Sequence, residues 1–390
     1  MVDIIIVGAG ASGLMAAISA SRANKNKMIA IIEKNHIVGK KIYATGNGKC
    51  NLTNMSCKNA KETVAFFNSI GLLTKELEEG RVYPYSEQAK DVVAILENQL
   101  RSDNIDILIN SEVTNVAKVD GIFEVEFTDK TKKTSNKLIG RNLIIATGGK
   151  SYPIHGSIGD GYRFSRTFGH TTTPLVPALT GIECKGDFLK LKGIRANAKL
   201  SILKKQNIVF EEKGQIQFTE YGLSGIVTFN GSHKIEKNVE LFSIAIDFVP
   251  DLTETEVIEM LEKRKNIKNF KTEFLLTSIV DERLARIIYE KVGLDSLSVS
   301  NTVDTKRIEV IAKFLKNVTF QVKGLRGWKE AQITKGGIKL DEVDMETMES
   351  QIVENLYFVG EILDIQGYCG GYNLQNAWET GLRVGNNFEK

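Results

Sequence analysis

Residues 3–34, DIIIVGAGASGLMAAISASRANKNKMIAIIEK, leave few folds open. An apolar run of strand length meets Gly8-x-Gly10-x-x-Gly13, an alanine-rich stretch of helical length follows, and a second apolar run ends at Glu33, twenty residues after Gly13. Strand, glycine turn, helix and second strand in this order predict one right-handed crossover of an open α/β sheet. Each glycine has a separate duty: Gly8 permits the tight turn, Gly10 lets the backbone approach a pyrophosphate, and Gly13 allows the helix to pack closely on the strand. The helix start offers free N–H groups and a positive dipole end to phosphate. Glu33 is placed to accept hydrogen bonds from a ribose 2′-hydroxyl, and its charge disfavours a 2′-phosphate there. The unit predicts dinucleotide binding; the bland alternative is a tight turn in an unrelated α/β domain.

Two later segments decide between NAD and FAD. A nicotinamide enzyme completes its site within about the next hundred residues, whereas an FAD site of this kind recruits strands from much later in the chain. NLIIATGG (142–149) is an apolar strand running into Gly148-Gly149, and NLYFVGEILD (355–364) is another running into Gly360-Glu361. An acid at the end of such a strand can meet ribityl hydroxyls, which NAD lacks. IQGYCGGYNLQNAWETGLRVG then reads as a glycine-rich turn feeding a helix that starts near Asn373. A second helix N-terminus at the cofactor suits the negative charge that develops on a reduced flavin. FAD is the expected cofactor.

The stretch KKIYATGNGKCNLTN (40–54) resembles the start of a phosphate loop but fails as one, since Tyr43 stands where the first Gly belongs and Cys50 follows Lys49. It leaves Glu33 after a short connection and is expected to run along the cofactor to its ring, with Gly46 and Gly48 removing side chains from the approach. Lys49 reads either as a solvated loop lysine or as a cation near pyrophosphate or flavin carbonyls. The chain has 390 residues, 42% hydrophobic and 25% charged, enough for more than one domain, and a net charge of +3, too mild to specify nucleic acid or membrane as partner. Its four cysteines, Cys50, Cys57, Cys184 and Cys369, form no C-x-x-C pair, so neither structural zinc nor a disulfide framework is expected and no metal is assigned. The N-terminus shows no leader and no run reaches the ~18 apolar residues of a membrane helix, so a cytoplasmic location is expected.

Seven ordered motifs, GKKIYATGNGKCNLTN, GRVYPYS, ATGGKSYPIHGSIGDGYRFSRTFGH, FTEYGLSG, EAQITKGGI, TMES and LYFVGEILDIQGYCGGYNLQNAW, resemble the BaiN-like FAD-dependent oxidoreductases, whose members include aminoacetone oxidases and 3-dehydro-bile acid reductases. The resemblance spans nearly the whole chain. It implies an α/β fold: a glutathione-reductase-like FAD-binding Rossmann domain interrupted by an insert of a small β-barrel plus a helical subdomain, without a separate NAD(P) domain. On this reading residues 1–177 and 325–390 form the FAD-binding domain and 178–324 the insert, with the barrel at about 178–250 and 315–324 and the helices at about 251–314. The expected cofactor contacts are Gly8, Gly10, Ser12, Gly13, Glu33, Lys34, Lys41, Thr45, Gly46, Asn47, Gly48, Cys50, Asn51, Val113, Thr147, Gly148, Gly149, Gly360, Glu361, Gly371, Tyr372, Asn373 and Leu374. This chain departs from the family pattern where Gly-Gly-Gly-Arg-Cys-Asn becomes Gly46-Asn47-Gly48-Lys49-Cys50-Asn51, losing a planar guanidinium fork, and where Ile226 replaces the proline after Leu-Ser-Gly.

The chain's own pattern agrees with an insert. Short alternating strands occupy about 180–250, and the amphipathic segments DLTETEVIEMLEKRKN, DERLARIIYEKVG and DTKRIEVIAKFLKN follow, each opening on an Asp or Thr cap. Between Lys185 and Lys205 there are seven basic residues against Asp187 alone, which reads as a solvated barrel face or as a surface for an anionic partner. Three functions are carried forward: a flavin oxidoreductase exchanging hydride between N5 and a small amine, ketone or enone held between the FAD domain and the insert; a nicotinamide-dependent dehydrogenase; and an RNA-modifying flavoprotein using Cys50 or Cys369 as nucleophile. The first is the reading adopted, with NAD(P)H or oxygen as a transient electron partner. Arg81, Tyr152, Cys369 and Tyr372 are the candidates for substrate chemistry, with Tyr83 and His155 beside them. A Tyr hydroxyl can give a proton as hydride arrives, and Arg81 can polarise a carbonyl.

Overall fold

The computed structural model describes residues 1–186, 188–236 and 238–388. Asp187, the one acid of the basic run, lies outside the described residues. The chain forms two compact units, Met1–Pro177 with Ala331–Lys390, and Ala178–Glu330.

The first unit is built on a seven-stranded sheet. Strand β1 (Val2–Val7) pairs in parallel with β2 (Ile29–Ile32) on one side and with the end of a long strand on the other. Ile4, Ile5 and Ile6 are fully buried, as a strand covered on both faces requires. The helix α1 (Ala11–Ala23) is buried from Ser12 to Ser21, which explains its Ala, Ser and Gly content: it is enclosed between the sheet and the C-terminal helix Tyr372–Gly385. A Cβ on Gly381 would stand 2.6 Å from Ser12 O, so the two helices approach with no room for a side chain.

A small antiparallel sheet follows, of β3 (Thr53–Asn54), β4 (Thr74–Glu76) and β5 (Arg81–Pro84), in the order β3-β5-β4. The main sheet then gains β6 (Asp106–Leu108), parallel to β2, and the hairpin β7 (Ser111–Val119) and β8 (Ile122–Asp129). Strand β9 (Thr134–Ile145) serves two pairings: its first half runs antiparallel to β8, and from Gly140 it turns parallel to β1. The late strand Leu356–Phe358 pairs in parallel with Leu143–Ile145 of β9. The two turns that follow these strands, at Gly148 and Gly360, therefore leave the same edge of the sheet as Gly8. In an open parallel sheet that carboxyl edge is where a ligand binds.

One buried network pins the segment before Leu356. His170 is 2% exposed, with Nε2 2.7 Å from Ser350 Oγ and Nδ1 3.2 Å from Glu342 Oε2. Ser350 Oγ also accepts from the N–H groups of Ile352 and Val353, so its hydroxyl hydrogen turns to His170 and the imidazole is held neutral, donating from Nδ1 to Glu342. Burial pushes the His170 pKa down. A folded value below the ordinary ~6.5 means that the unfolded chain takes up the proton first, so this stabilisation is complete above ~6.5 and is lost as pH falls through the folded value. Urea midpoints measured from pH 7.5 to 5.5 are expected to fall more steeply in wild type than in His170→Asn, by at most ~1.4 kcal/mol per pH unit; parallel curves would refute the assignment.

The second unit holds a closed six-stranded barrel in the order Ile182–Cys184, Gly222–Ser224, Asn207–Thr219, Arg195–Lys204, Phe242–Asp247, Val318–Leu325. Leu200, Ile202, Ile216, Phe218, Ile244 and Ile246 fill it, each no more than 1% exposed. Helices Glu254–Lys265, Glu282–Val292 and Thr305–Lys316 start on Thr253, Asp281 and Asp304, whose side chains accept first-turn N–H groups, the Thr253/Glu256 pair forming a capping box. Arg326 pairs with Glu183 and Glu330, which ties the residues after Leu325 to the barrel. Four of the seven basic residues of the run have acidic partners. Lys190, Lys192, Lys199 and Lys204 meet Glu290, Glu220, Glu211 and Glu236 at 2.5–3.4 Å, acids contributed by other parts of the same unit.

Candidate functional site

At the edge of β1 the glycines divide their work sharply. Gly8 has φ +104°, and a Cβ there would lie 2.6 Å from Ala146 O; a Cβ on Gly13 would lie 2.0 Å from Gly8 O. Both are packing requirements. A Cβ on Gly10 would meet nothing within 4 Å, and as the N-cap of α1 it supplies no side-chain cap. The helix start therefore faces open space with its N–H groups available. Ser12 Oγ donates to Val359 O, bringing the late strand to the first turn of α1. Glu33 is 7% exposed; Oε2 accepts from Ala9 N and Oε1 from Asn35 N and Nδ2, which fixes the carboxylate and leaves lone-pair capacity for a hydroxyl. Lys34 pairs with Asp160 at 2.7 Å, and Val113 is buried on β7, where the register shifts.

A second corner forms where β9 ends. Thr147 Oγ1 and Asp160 Oδ1 are buried without a partner. Thr334 Oγ1 accepts from Lys150 N and Ser151 N, and a Cβ on Gly149 would stand 2.3 Å from it. Glu361 is the acid expected to meet ribityl hydroxyls. Its carboxylate receives Lys41 Nζ at 2.7 Å, Ser151 Oγ at 2.7 Å and Thr334 N at 2.8 Å, so it organises this corner through protein donors. Tyr152 stands in the left-handed region (φ 56°), its ring stacked on His155 at 4.6 Å. His155 Nδ1 is buried without a partner, and burial, with Lys40 and Lys41 close by, pushes its pKa down.

The loop after Glu33 turns through left-handed conformations at Gly46, Asn47, Gly48 and Cys50. Such a backbone costs roughly 1 kcal/mol or more at a non-glycine residue and needs its surroundings to hold it. The loop folds on itself at Gly46, whose Cβ would meet Asn51 N at 2.8 Å, and Thr45 Oγ1 donates to Ile42 O. At Gly48 the nearest atom to a Cβ is Tyr43 O at 3.9 Å, so this glycine leaves an approach open. Lys49 resolves as a surface residue: with Lys75 it pairs with Glu87 and pulls that carboxyl down to about 2.

Cys50 is fully buried and its thiol is pushed up to about 12, so it carries no thiolate at neutral pH and does not fit a nucleophile's role. Cys184 is raised equally by burial. Iodoacetamide at pH 8 is expected to alkylate the partly exposed Cys57 and Cys369 in the native protein, and Cys50 and Cys184 only after unfolding, as read by mass spectrometry. Rapid native labelling of Cys50 would restore it as a nucleophile.

A third cluster joins β3, β5 and the start of the C-terminal helix. Arg81 pairs with Glu79, and Tyr83 packs under Gly46. Asn373 closes the Gly367–Asn373 turn, accepting from Gly367 N and donating to the carbonyls of Gly367 and Tyr368. Gly371 (φ +104°) is the N-cap and lends no side chain. Leu374 packs on the core, Cys369 Sγ lies 3.5 Å from Gln332 Oε1, and Tyr372 Oη is 2.7 Å from Ser56 Oγ. Arg81 and Tyr372 thus share one cluster, whereas Tyr152 belongs with His155 beside Lys40 and Lys41. Sequence reasoning missed Gln375, Thr334, Ser151, Asn54 and Ser56. Gln375 is 1% exposed, its Oε1 accepts from Thr53 Oγ1 and its Nε2 has no partner; Asn51 Oδ1 is likewise buried and unpartnered. Gln375 lies one turn inside an amphipathic helix that also carries Asn373, Asn376 and Glu379, so no local signal set it apart.

These residues fit FAD. Unpartnered buried atoms at Asp160, Thr147, Asn51 and Gln375, together with open space over Gly10, follow the glycine turns as an extended dinucleotide with a polar ring would. Comparison with known proteins points the same way. The model of the HI0933-like protein Rossmann domain matches residues 2–61 and 55–387. The 3-dehydro-bile acid delta(4,6)-reductase of Clostridium scindens is 33% identical over 97% of each chain, and the ribosomal RNA dihydrouridine synthase of Haemophilus influenzae is 28% identical over 96% of each. Among solved structures, a 3-ketosteroid-delta4-(5alpha)-dehydrogenase from Rhodococcus jostii aligns with a TM-score of 0.52 at 12% identity, covering 100% of this chain and 97% of that one, a likeness of fold. The chain therefore belongs to the HI0933-like Rossmann family.

Proposed function

We propose that this chain, an FAD-dependent oxidoreductase, saturates a carbon–carbon double bond conjugated to a carbonyl group. The observation that carries the cofactor part is the set of buried, unpartnered polar atoms at Thr147, Asn51 and Gln375 beside glycine turns drawn from three distant parts of the chain. The substrate class is supported by the names of two curated relatives, a 3-dehydro-bile acid delta(4,6)-reductase and a ribosomal RNA dihydrouridine synthase; a 3-oxo-4,6-diene and uridine share a carbon–carbon double bond conjugated to a carbonyl group. The N–H groups of the first turn of α1, from Gly10 through Ser12 and Gly13, would hold the pyrophosphate, Gly8 setting the turn before them; Glu33 and Lys34 would hold the adenosine ribose, and the 45–51 loop with the start of the C-terminal helix the ring. Bound there, FAD supplies hydride exchange at N5. Arg81, steadied by Glu79, polarises the substrate carbonyl, and the residues from 178 to 330 form an insert in the FAD-binding domain. A small organic substrate is favoured over RNA because the lysines from 190 to 204 are already ion-paired.

The test is anaerobic. Protein with FAD bound, reduced by dithionite, is mixed separately with a 3-oxo-4,6-diene steroid, cyclohex-2-enone and uridine while the flavin absorbance is followed. Reoxidation by a conjugated carbonyl compound without oxygen is the expected result; failure with all three sinks the reading, and a response to uridine alone moves it to nucleic acid. Only one Gly-x-Gly-x-x-Gly unit with a following acid is present, so a nicotinamide visits transiently. Flavin reduction is expected to saturate above roughly 100 µM NADH or NADPH, about −5.5 kcal/mol of binding at best; saturation at low micromolar concentration would demand a second nucleotide site.

A further inference from the structure

We infer that Tyr372 is the proton donor to the double bond and that Ser56, fixed by Asn54, is the positioning residue that directs its hydroxyl; this rests on the reading of the chain as a reductase of conjugated carbonyl compounds. Hydrogen bonds fix the direction of the chain of donors. Asn54 Nδ2 donates to Glu79 O at 3.0 Å and to Gly370 O at 3.2 Å, which orients the amide and leaves Oδ1 as an acceptor. That oxygen receives both Ser56 N at 3.0 Å and Ser56 Oγ at 2.6 Å. The one hydroxyl hydrogen of Ser56 is thereby engaged, so in the 2.7 Å contact between Ser56 Oγ and Tyr372 Oη the tyrosine is the donor.

The placement suits the chemistry. Tyr372 is the first residue of the C-terminal helix, directly after the uncapped Gly371. A Cβ on Gly370 would lie 3.7 Å from Tyr372 Cε2 and 3.9 Å from both Arg81 Nε and Asn54 Nδ2, so the phenol and the guanidinium border one small space. The unpartnered Nε2 of Gln375 belongs to the same first turn. Polariser and proton donor thus flank the position a conjugated carbonyl compound needs.

In the step itself the Tyr372 O–H turns from Ser56 Oγ to the substrate and breaks, and a C–H bond forms at the α-carbon, made from the π pair of the alkene, while the β-carbon gains hydride. The substrate gains one hydride and one proton, and the two electrons come from reduced flavin, recharged by a two-electron donor such as reduced nicotinamide. The charge left on the Tyr372 oxygen is met by Ser56, whose hydroxyl swings from Asn54 Oδ1 to the phenolate while Oδ1 keeps the Ser56 N–H. Ser56 is exposed, so water restores the proton.

The experiment uses the anaerobic assay above with the most reactive of the three probes, on protein with FAD bound. Tyr372→Phe is expected to slow reoxidation by the probe ~100-fold or more, and to slow reoxidation by air far less. Ser56→Ala should slow it ~10-fold and Ser56→Thr should restore it, since a hydroxyl at that position is what counts. In protein labelled with 13Cζ-tyrosine and free of substrate, the Tyr372 resonance should move in Ser56→Ala and return in Ser56→Thr, a signature that a change in packing alone would not give. Should Tyr372→Phe fail to fold, the Ser56 pair, which leaves the ring in place, decides. Wild-type reoxidation by the probe with Tyr372→Phe equally fast overturns the donor assignment and leaves the substrate reading standing. Ser56→Ala with unchanged rate and resonance overturns the positioning role, and a wild type that no probe reoxidises overturns the substrate reading and this inference with it.

Discussion

Gly10→Val is expected to yield a folded protein that purifies colourless, and Gly13→Val to yield no folded protein. The two glycines stand three residues apart in one motif, and the structure separates them. At Gly13 a Cβ would be 2.0 Å from Gly8 O, a collision with backbone that only displacement of α1 from β1 relieves. At Gly10 the backbone is extended (φ −79°, ψ −173°), a conformation valine adopts readily, and nothing lies within 4 Å of an added Cβ. The valine side chain enters the space the pyrophosphate needs, so FAD affinity should fall at least ~100-fold, about 2.7 kcal/mol, while the far-ultraviolet spectrum and melting of the apoprotein stay close to wild type. FAD released by acid and measured by fluorescence settles occupancy. A Gly10→Val protein that remains yellow would remove the helix start from the cofactor site, and a well-folded Gly13→Val would show that the tight crossing of strand and helix is not required.

The same contrast shows what could be read from residues alone. The β1, Gly8–Gly13, α1, β2 unit was legible because its signals are local: a buried strand, three glycines at fixed offsets, a helical length of small residues and an acid at the end of the next strand. The strand Leu356–Phe358 was legible for the same reason, although it pairs with β9 more than two hundred residues earlier. The caps at Thr253, Asp281 and Asp304 also speak for themselves, since capping is settled within one turn. What stayed hidden depends on distant partners. Nothing near Lys190 or Lys204 announces Glu290 or Glu236, so part of a run that looks basic along the chain is offset by acids from elsewhere in space. The left-handed turns at Asn47 and Cys50 follow from how the loop is held rather than from residue preference, for cysteine has none. Gln375, Thr334 and Ser56 gained their roles only when β3, β9 and the C-terminal helix came together, and each looked like ordinary polar filling in its own segment.

Glu361→Ala is expected to destabilise the first unit by about 2–3 kcal/mol and to weaken FAD binding, whereas Glu361→Gln should lose roughly half as much stability. Three donors converge on this carboxylate: the Lys41 ammonium, the Ser151 hydroxyl and the Thr334 N–H. Alanine leaves the Thr334 N–H without an acceptor and strips the charged partner from Lys41, which keeps Ser151 Oγ at 2.9 Å, and from Ser151, which keeps Gln332 O at 3.2 Å, in a corner that water reaches only in part, with the Lys41 and Glu361 side chains 25% and 21% exposed. That residual exposure is why the expected cost is below that of breaking a fully buried pair. Glutamine keeps one oxygen for the Thr334 N–H and Ser151 and loses the charge opposite Lys41, so its loss isolates the ion pair from the hydrogen bonds. The consequence for the cofactor runs through position rather than charge: Thr334 Oγ1 holds the Lys150 and Ser151 N–H groups beside Gly149, and once Thr334 N is released the turn after β9 loses its anchor. Chemical denaturation of the apoprotein and FAD titration by fluorescence quenching should rank wild type above Glu361→Gln and Glu361→Ala in both measurements. If Glu361→Ala instead bound FAD more tightly at unchanged stability, removal of a negative charge beside an anionic cofactor would be the dominant effect, and the carboxylate would be a brake on binding rather than the organiser of the corner.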